Sequence, residues 1–311
     1  MRTMTALRAH RRGGPEVLVV EQVPVPVPAP GEVLVAVHAA AITFDELTWP
    51  ETWERDGADR TPIIPSHEVS GVVEAVGAGV TDVAVGAEVY ALIDFDRDGA
   101  AADYVTVPAA HLAARPTTVS HEVAAALPMT GLTAWQALVD QAKVQPGERV
   151  LVTGGAGGVG ALTVQLAHQL GAEVTATTRS DASELVRGFG AQHMVDVRSQ
   201  QIPEQVYDAV IDTVGGAALD GAFAAAKRGG RLITLSAPLP DGLAERHGVN
   251  ATFLIVVPHR GQLIELARLL DASRLQVPLS ATFALTQGRA AFESGRVAGR
   301  KPGKTVLRVR D

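Results

Sequence analysis

The chain has 311 residues, enough for two ordinary domains or for one domain with a second inserted in it. A formal net charge of -7 with scattered arginines gives no basic surface for nucleic acid, and zero cysteines exclude disulfides, thiolate metal sites and a cysteine nucleophile. With 47% hydrophobic but only 4% aromatic residues, and Ala, Val and Gly in plenty, the composition suits close-packed α/β layers with small residues at the turns.

Met1–His10 carries charges at Arg2 and Arg8 and no long apolar core, so it does not read as a secretory signal. No uninterrupted apolar run reaches the ~18 residues of a spanning helix, and a cytoplasmic protein is expected. The first third reads as β structure. Val17–Glu21, Val33–Ala40, Val69–Gly77 and Glu88–Ile93 are strand-like, punctuated by Gly71, Gly77, Gly79 and Gly86. Between the first two lies Val23-Pro24-Val25-Pro26-Val27-Pro28-Ala29-Pro30-Gly31. Proline fixes φ and removes a donor, so this stretch is expected to be an extended linker ending in a turn. Ser120 is a candidate N-cap for a helix running to Leu127, and Thr130–Ala142 reads as a second helix. Gln145-Pro146-Gly147-Glu148 is a turn before the short apolar strand Arg149–Thr153. Strands and helices then alternate: strand Val174–Thr178, helix Ala182–Phe189, strands Met194–Val197 and Ala209–Asp212, helix Leu219–Ala226, and strands Arg231–Leu235 and Thr252–Val257. That alternation is the pattern of a doubly wound parallel sheet. Arg260–Leu270 predicts an amphipathic helix with Leu263, Leu266 and Leu270 on one face, and the chain closes on strand Thr305–Val309. A lone terminal strand needs partners, so it is expected to complete the N-terminal β domain. The doubly wound unit is then an insertion near residues 120–257.

The strand Arg149–Thr153 runs into Gly154-Gly155-Ala156-Gly157-Gly158-Val159-Gly160, in which Gly155, Gly157 and Gly160 fit G-x-G-x-x-G. The following segment places Val159, Leu162, Leu166 and Leu170 at helical spacing, stops at Gly171, and leads into strand Val174–Thr178. Alone, such a glycine pattern is weak. Within a complete strand–turn–helix–strand unit it points to a dinucleotide, whose pyrophosphate needs a tight turn, a bare backbone and the positive end of a helix. An NAD site usually carries Asp or Glu at the end of the second strand, whereas this strand ends Thr177-Thr178-Arg179-Ser180. Arg179 can pair with a 2′-phosphate, and Thr178 and Ser180 can hydrogen-bond it, so NADPH is the expected cofactor. Asp181 is the competing acid. It reads instead as a helix N-cap with Glu184 completing a capping box.

Several motifs, in order along the chain, resemble the zinc-independent quinone oxidoreductase branch of the medium-chain dehydrogenase/reductase superfamily. They are Gly13-Gly14-Pro15-Glu16-Val17-Leu18, Pro28-Ala29-Pro30-Gly31-Glu32-Val33-Leu34-Val35, Ile64-Pro65-Ser66-His67-Glu68-Val69-Ser70-Gly71, Ala102-Asp103-Tyr104-Val105, Leu127–Ala137, Asp212-Thr213-Val214-Gly215-Gly216 and Gly303-Lys304-Thr305-Val306-Leu307. The resemblance implies a GroES-like β domain, residues 1–119 plus 258–311, with an inserted Rossmann domain at 120–257. It also implies hydride transfer from NADPH to a quinone or an α,β-unsaturated carbonyl, and a homodimer. Zinc relatives use Cys and His ligands; here Thr43 stands at the first ligand position, only His67 and Glu68 remain, and no metal is expected. The other eight histidines show no metal-like spacing.

By the same resemblance Thr43 lies near the nicotinamide ribose and Thr130 near the nicotinamide end. Gly155, Gly157, Gly158, Val159 and Gly160 cradle the phosphates. Thr213 and Val214 follow the fourth strand, Ser236 the fifth, and Phe253, Leu254 and Ile255 back the nicotinamide. Tyr90 is the one tyrosine considered as a proton donor; Tyr104 reads as structural. Phe44, Trp49, Trp53 and Phe95 are candidates for an apolar substrate wall or, equally, for core and lid packing. Arg300 and Lys304 read as surface charges. Gly299–Thr305 lacks the first glycine and the helix of a phosphate loop, and Asp94–Asp98 lacks the rest of a calcium loop. Two other functions fit the same fold: reduction of a polyketide-type ketone or enoyl intermediate, and non-enzymatic NADPH binding or protein interaction.

Overall fold

A computed structural model describes residues 2–179, 182–297 and 299–310. By its contacts the chain forms two compact units, Met1–Met129 with Val257–Asp311, and Thr130–Val256. The main strands in chain order are β1 (Thr3–Ala9), β2 (Leu18–Pro24), β3 (Glu32–Ile42), β4 (Glu68–Val76), β5 (Glu88–Leu92), β6 (Tyr104–Pro108), β7 (Arg149–Val152), β8 (Glu173–Thr178), β9 (His193–Asp196), β10 (Tyr207–Asp212), β11 (Ala226–Thr234), β12 (Asn250–Phe253), β13 (Leu279–Ala284) and β14 (Lys304–Arg308).

The first unit is built on β3. Its apolar run is nearly continuous because side chains on both of its faces are buried, and both of its edges are paired. β4 pairs it antiparallel from Val33 to Ala41, β6 takes Glu32–Ala36, and β14 takes Ala39–Ile42. The C-terminal strand is therefore part of the N-terminal sheet, which runs β13-β14-β3-β4-β5 and ends on the two-residue strand Ala113–Ala114. Leu7, Ile42, Ile63, Ile93, Leu112 and Phe292 are fully buried in its core. The expected proline-rich linker is shorter than its sequence suggested. Val23 and Pro24 finish β2, where Pro24 pairs with Thr3 at the end of a two-stranded ribbon and its missing N–H interrupts no ladder. The helix Arg260–Asp271 buries Leu263, Leu266 and Leu270, the face set by its spacing.

The second unit is a six-stranded parallel sheet of order β9-β8-β7-β10-β11-β12. This is the doubly wound arrangement, with its switch point between β8–β7 and β10. Leu151, Val210, Phe223 and Leu232 are buried with Tyr207 in its core. The helix expected at Thr130–Ala142 begins at Pro128, where a proline's missing N–H is harmless, is α-helical to Trp135, and continues as a π-helical turn over Gln136–Gln141. The strand expected over Thr252–Val257 stops at Phe253. β1, β6, β13 and the helix Gly288–Glu293 had no sequence-based expectation. β13 is half exposed along its length, so its pattern of burial gives no clean alternation.

Close strand packing makes one glycine a steric requirement. A Cβ on Gly71, in the middle of β4, would lie 2.1 Å from the Ala36 carbonyl oxygen of β3. Gly79 has φ +82° but open space around its Cα. Gly71→Ala should therefore destabilise by about 2–3 kcal/mol, and Gly79→Ala by about 1 kcal/mol. Urea denaturation midpoints of the two variants check this; equal midpoints would contradict the steric argument.

Candidate functional site

The glycine turn lies at the carboxyl end of β7, beside the ends of β8 and β10. Gly154, not the first motif glycine, takes the left-handed conformation, φ +68°. Its N–H donates to Thr177 Oγ1 at 3.0 Å, and the Gly155 N–H donates to the Thr177 carbonyl at 2.9 Å. A Cβ on Gly155 would meet Ala176 Cβ at 2.8 Å. A Cβ on Gly160 would lie 2.2 Å from the Gly154 carbonyl oxygen. The helix Gly158–Gln169 starts from Gly157 with no side-chain cap, so its first-turn N–H groups have no side-chain acceptor at the place where a dipole end favours an anion.

Other expected cofactor residues gather on the same sheet end. Thr213 and Val214 follow β10, Ser236 follows β11, and Phe253, Leu254 and Ile255 form the end and continuation of β12. Asp212, whose importance was visible in the sequence only as part of a motif, ties three strands together. Its buried carboxylate accepts from Thr153 Oγ1 at 2.7 Å, from Thr234 Oγ1 at 2.9 Å and from the Gly215 N–H at 3.1 Å. Thr213 completes the link, donating from Oγ1 to the Thr153 carbonyl at 2.7 Å. Thr130 is buried in the helix Pro128–Trp135.

At the end of β8, Thr178 is buried and its hydroxyl has no hydrogen-bond partner among the described residues, while Arg179 is exposed. Ser180 and Asp181 lie outside the described residues. The acid in register with Thr178 is Asp196 of β9, and it is already engaged: Arg198 donates to it at 2.6 Å and holds its carboxyl near 2.

In the first unit the structure brings together a buried polar cluster. Glu68 is fully buried, accepts the Met129 N–H at 3.0 Å and is ion-paired with Lys304. Lys304 is only 8% exposed, which corrects its reading as a surface charge. Its Nζ also donates to Thr43 Oγ1 at 3.1 Å, and Thr43 donates in turn to Met129 Sδ at 3.2 Å. Burial pushes the Glu68 carboxyl up, and the ammonium opposes this. Fully buried Glu46 accepts the Ser66 N–H at 3.1 Å through one oxygen, while the other has no partner among the described residues. Glu46 was not singled out from sequence. Glu46 follows a candidate position by three residues, and nothing in the sequence announces its burial.

The aromatic candidates divide. Trp49 packs on Phe95 at 5.1 Å, and Phe95 meets the edge of buried His67 at 5.5 Å. Burial pushes His67 down to about 4, keeping its ring neutral. Phe44 is half-buried with the Arg300 guanidinium 4.8 Å above its ring. Trp53 belongs to the packing instead: it is 3% exposed and its Nε1 donates to the Leu47 carbonyl at 2.9 Å. Tyr90 does not meet the expectation of a proton donor. It is fully buried, its hydroxyl donates to the Leu263 carbonyl, and burial pushes the phenol's pKa up. A proton committed inside the core is not placed for transfer.

The sequence matches the alcohol dehydrogenase GroES-like domain family over residues 29–117 and the zinc-binding dehydrogenase family over residues 189–307. A probable mitochondrial zinc-binding oxidoreductase of Arthroderma benhamiae is 32% identical over 91% of this chain and 91% of its own. The chloroplastic NADPH-dependent alkenal/one oxidoreductase of Arabidopsis thaliana is 35% identical over 74% of this chain and 62% of its own. Among solved structures, the quinone oxidoreductase from Coxiella burnetii matches with a TM-score of 0.89 at 28% identity, covering 99% of this chain and 100% of that one. Zinc figures in two of these names, but the corresponding side chains here do not fit it. Thr43 is bound to Lys304 and Met129, His67 faces Phe95, and Glu68 is held by an ammonium. Among the described residues no group of three His, Cys, Asp or Glu side chains is arranged to hold a metal ion.

The buried acid carries a pH test. Desolvation pushes Glu46 up to about 8, against partial relief from Lys304 and the Ser66 N–H. A carboxyl raised in the folded state contributes its stability in full below its unfolded value of 4.5, and that contribution is lost as pH rises toward 8. Glu46→Gln should therefore gain stability relative to the parent chain between pH 5 and pH 8. Urea midpoints at those two values check it, and a difference that does not change with pH would refute an uncharged, buried Glu46.

Proposed function

Because the chain belongs to the medium-chain dehydrogenase/reductase superfamily of oxidoreductases, we propose that it is an NADPH-dependent, zinc-free reductase of quinones or α,β-unsaturated carbonyls. The observation that carries the cofactor is the cradle at the end of β7. Gly155 and Gly160 leave room only for backbone, and an uncapped helix start stands beside them. The phosphates would be held by the N–H groups of Gly158, Val159 and Gly160, beside Gly157, whose own N–H closes the turn on the Gly154 carbonyl at 2.9 Å. Thr130, Thr213, Val214, Ser236, Phe253, Leu254 and Ile255 would line the rest of the dinucleotide.

The preference for the 2′-phosphate rests on three points at the tip of β8. Arg179 is exposed there, the Thr178 hydroxyl lacks a partner among the described residues, and the nearby Asp196 is occupied by Arg198. Ser180 joins them in sequence. The acceptor class is supported by the named activities of the Arabidopsis and Coxiella relatives and by the aromatic pair Trp49–Phe95, which offers apolar surface to a conjugated carbonyl. Absence of a metal-binding group among the described residues is no obstacle, since NADPH, when bound, would supply the hydride and the protein needs to orient and desolvate the acceptor. A homodimer and a cytoplasmic setting complete the proposal. No described helix is long and apolar enough to cross a membrane.

Cofactor titration followed by nucleotide fluorescence tests the core of this reading. NADPH should bind more tightly than NADH, and Arg179→Ala should weaken NADPH about tenfold or more, equivalent to about 1.4 kcal/mol, while leaving NADH nearly unchanged. Tighter binding of NADH would overturn the preference. Gly160→Ala should abolish binding of both. NADPH oxidation should proceed with 1,4-quinones or 2-alkenals after exhaustive chelation; activity lost to chelator and restored by zinc would sink the metal-free mechanism.

A further inference from the structure

Lys304 is held where two distant parts of the chain meet. β14 pairs antiparallel with β3, with Thr305 opposite Ile42, and one step beyond that pair Lys304 faces Thr43. The ammonium is nearly enclosed, yet Thr43 is only half-buried. Glu68 balances the charge, and Glu68 is itself pinned by the Met129 N–H. The result is a short directed chain: Lys304 Nζ donates to Thr43 Oγ1 at 3.1 Å, and the Thr43 proton points to Met129 Sδ at 3.2 Å.

Two features make that arrangement unusual for packing alone. A buried ion pair is a poor stabiliser, because desolvating both charges offsets most of their attraction. A thioether is a weak acceptor, so the Thr43 proton has an indifferent partner and would turn readily to a better one. A hydroxyl oxygen that accepts from a cation also becomes a stronger donor through its own proton, since the bonds polarise each other.

We infer that Lys304 is a positioning residue that, acting through Thr43, directs a strengthened hydrogen bond at the carbonyl oxygen of the acceptor. The inference rests on the reductase function proposed above. Hydride addition at the β-carbon of an enone brings two electrons, breaks the C=C π bond and leaves an enolate whose negative charge sits on the carbonyl oxygen. A proton from solvent at the α-carbon then completes the saturated ketone. Thr43 transfers no proton in this scheme. It donates a hydrogen bond to the oxygen on which charge builds up, which is where a preorganised donor lowers the barrier. The fixed charge behind it comes from the protein's own lysine, and Glu68 keeps that lysine in place and the cluster neutral.

The test uses the full chain loaded with NADPH and compares Thr43→Val, Lys304→Arg and the double variant Lys304→Met/Glu68→Gln, which removes both buried charges together and so avoids stranding one. With a 2-alkenal acceptor, Thr43→Val and the double variant should lose about 100-fold in kcat with little change in KM, and NADPH affinity should hold within about twofold. Lys304→Arg, keeping charge and donors, should recover much of the loss. A second readout needs no turnover. Binding of 4-nitrophenol, followed by its absorbance, should favour the phenolate over the phenol in the parent chain, and both Thr43→Val and the double variant should lose that preference. Undiminished kcat in Thr43→Val, alongside an unchanged phenolate preference, would overturn the inference while leaving the reductase intact. If no enone or quinone is reduced by the parent chain, the reductase proposal fails, and the phenolate titration still decides whether Thr43 and Lys304 form an oxyanion donor.

Discussion

The antiparallel pairing of β14 with β3 is the interaction on which much of the first unit depends. It joins residues 39–42 to residues 305–308 and so closes the β domain across an insertion of well over a hundred residues. Without it β3 would expose half of one edge, with the unpaired N–H and C=O groups that invites. The same pairing delivers Lys304 to Thr43 and Glu68. Closing the sheet and assembling the buried cluster are one event, and a cation that looks dispensable in the sequence becomes a partner of a fully buried acid.

In the second unit the corresponding constraint is backbone proximity. The turn after β7 must pass so close to the following helix and to β8 that side chains are excluded at Gly155 and Gly160. A bare backbone and an uncapped helix start are what an anionic ligand can use. Asp212 holds the neighbouring strand ends in register with this turn through bonds to Thr153, Thr234 and Gly215. The alignment of this sheet end thus comes from a carboxylate that is buried and fully occupied.

The two units spend their buried polar groups differently. Around Asp212 donors saturate the carboxylate, so burial costs little. Around Glu46, Glu68 and Lys304 one cation serves two carboxyls, and burial pushes both of them up. An imbalance of that kind is costly to fold. The Lys304 ammonium provides the positive charge there, and it also donates to the Thr43 hydroxyl.

Local patterns determined a large part of this. The G-x-G-x-x-G turn between an apolar strand and a helix of period 3.6, the alternation that follows, and the spacing of Leu263, Leu266 and Leu270 were legible because each is written in consecutive residues. The missing cysteines and the Thr178-Arg179 end of β8 were equally direct. Tertiary structure alone decided the rest. Tyr90 and Trp53 have the right chemistry for a site but are turned into the core, where the carbonyls of Leu263 and Leu47 accept their hydrogen bonds. Left-handed geometry fell to Gly154 because the turn's path, not the motif, selects the residue with positive φ. Lys304, Glu46 and Glu68 stand far apart in sequence, and burial is a property of what packs around a residue. No periodicity in the chain could show that these three share one desolvated space.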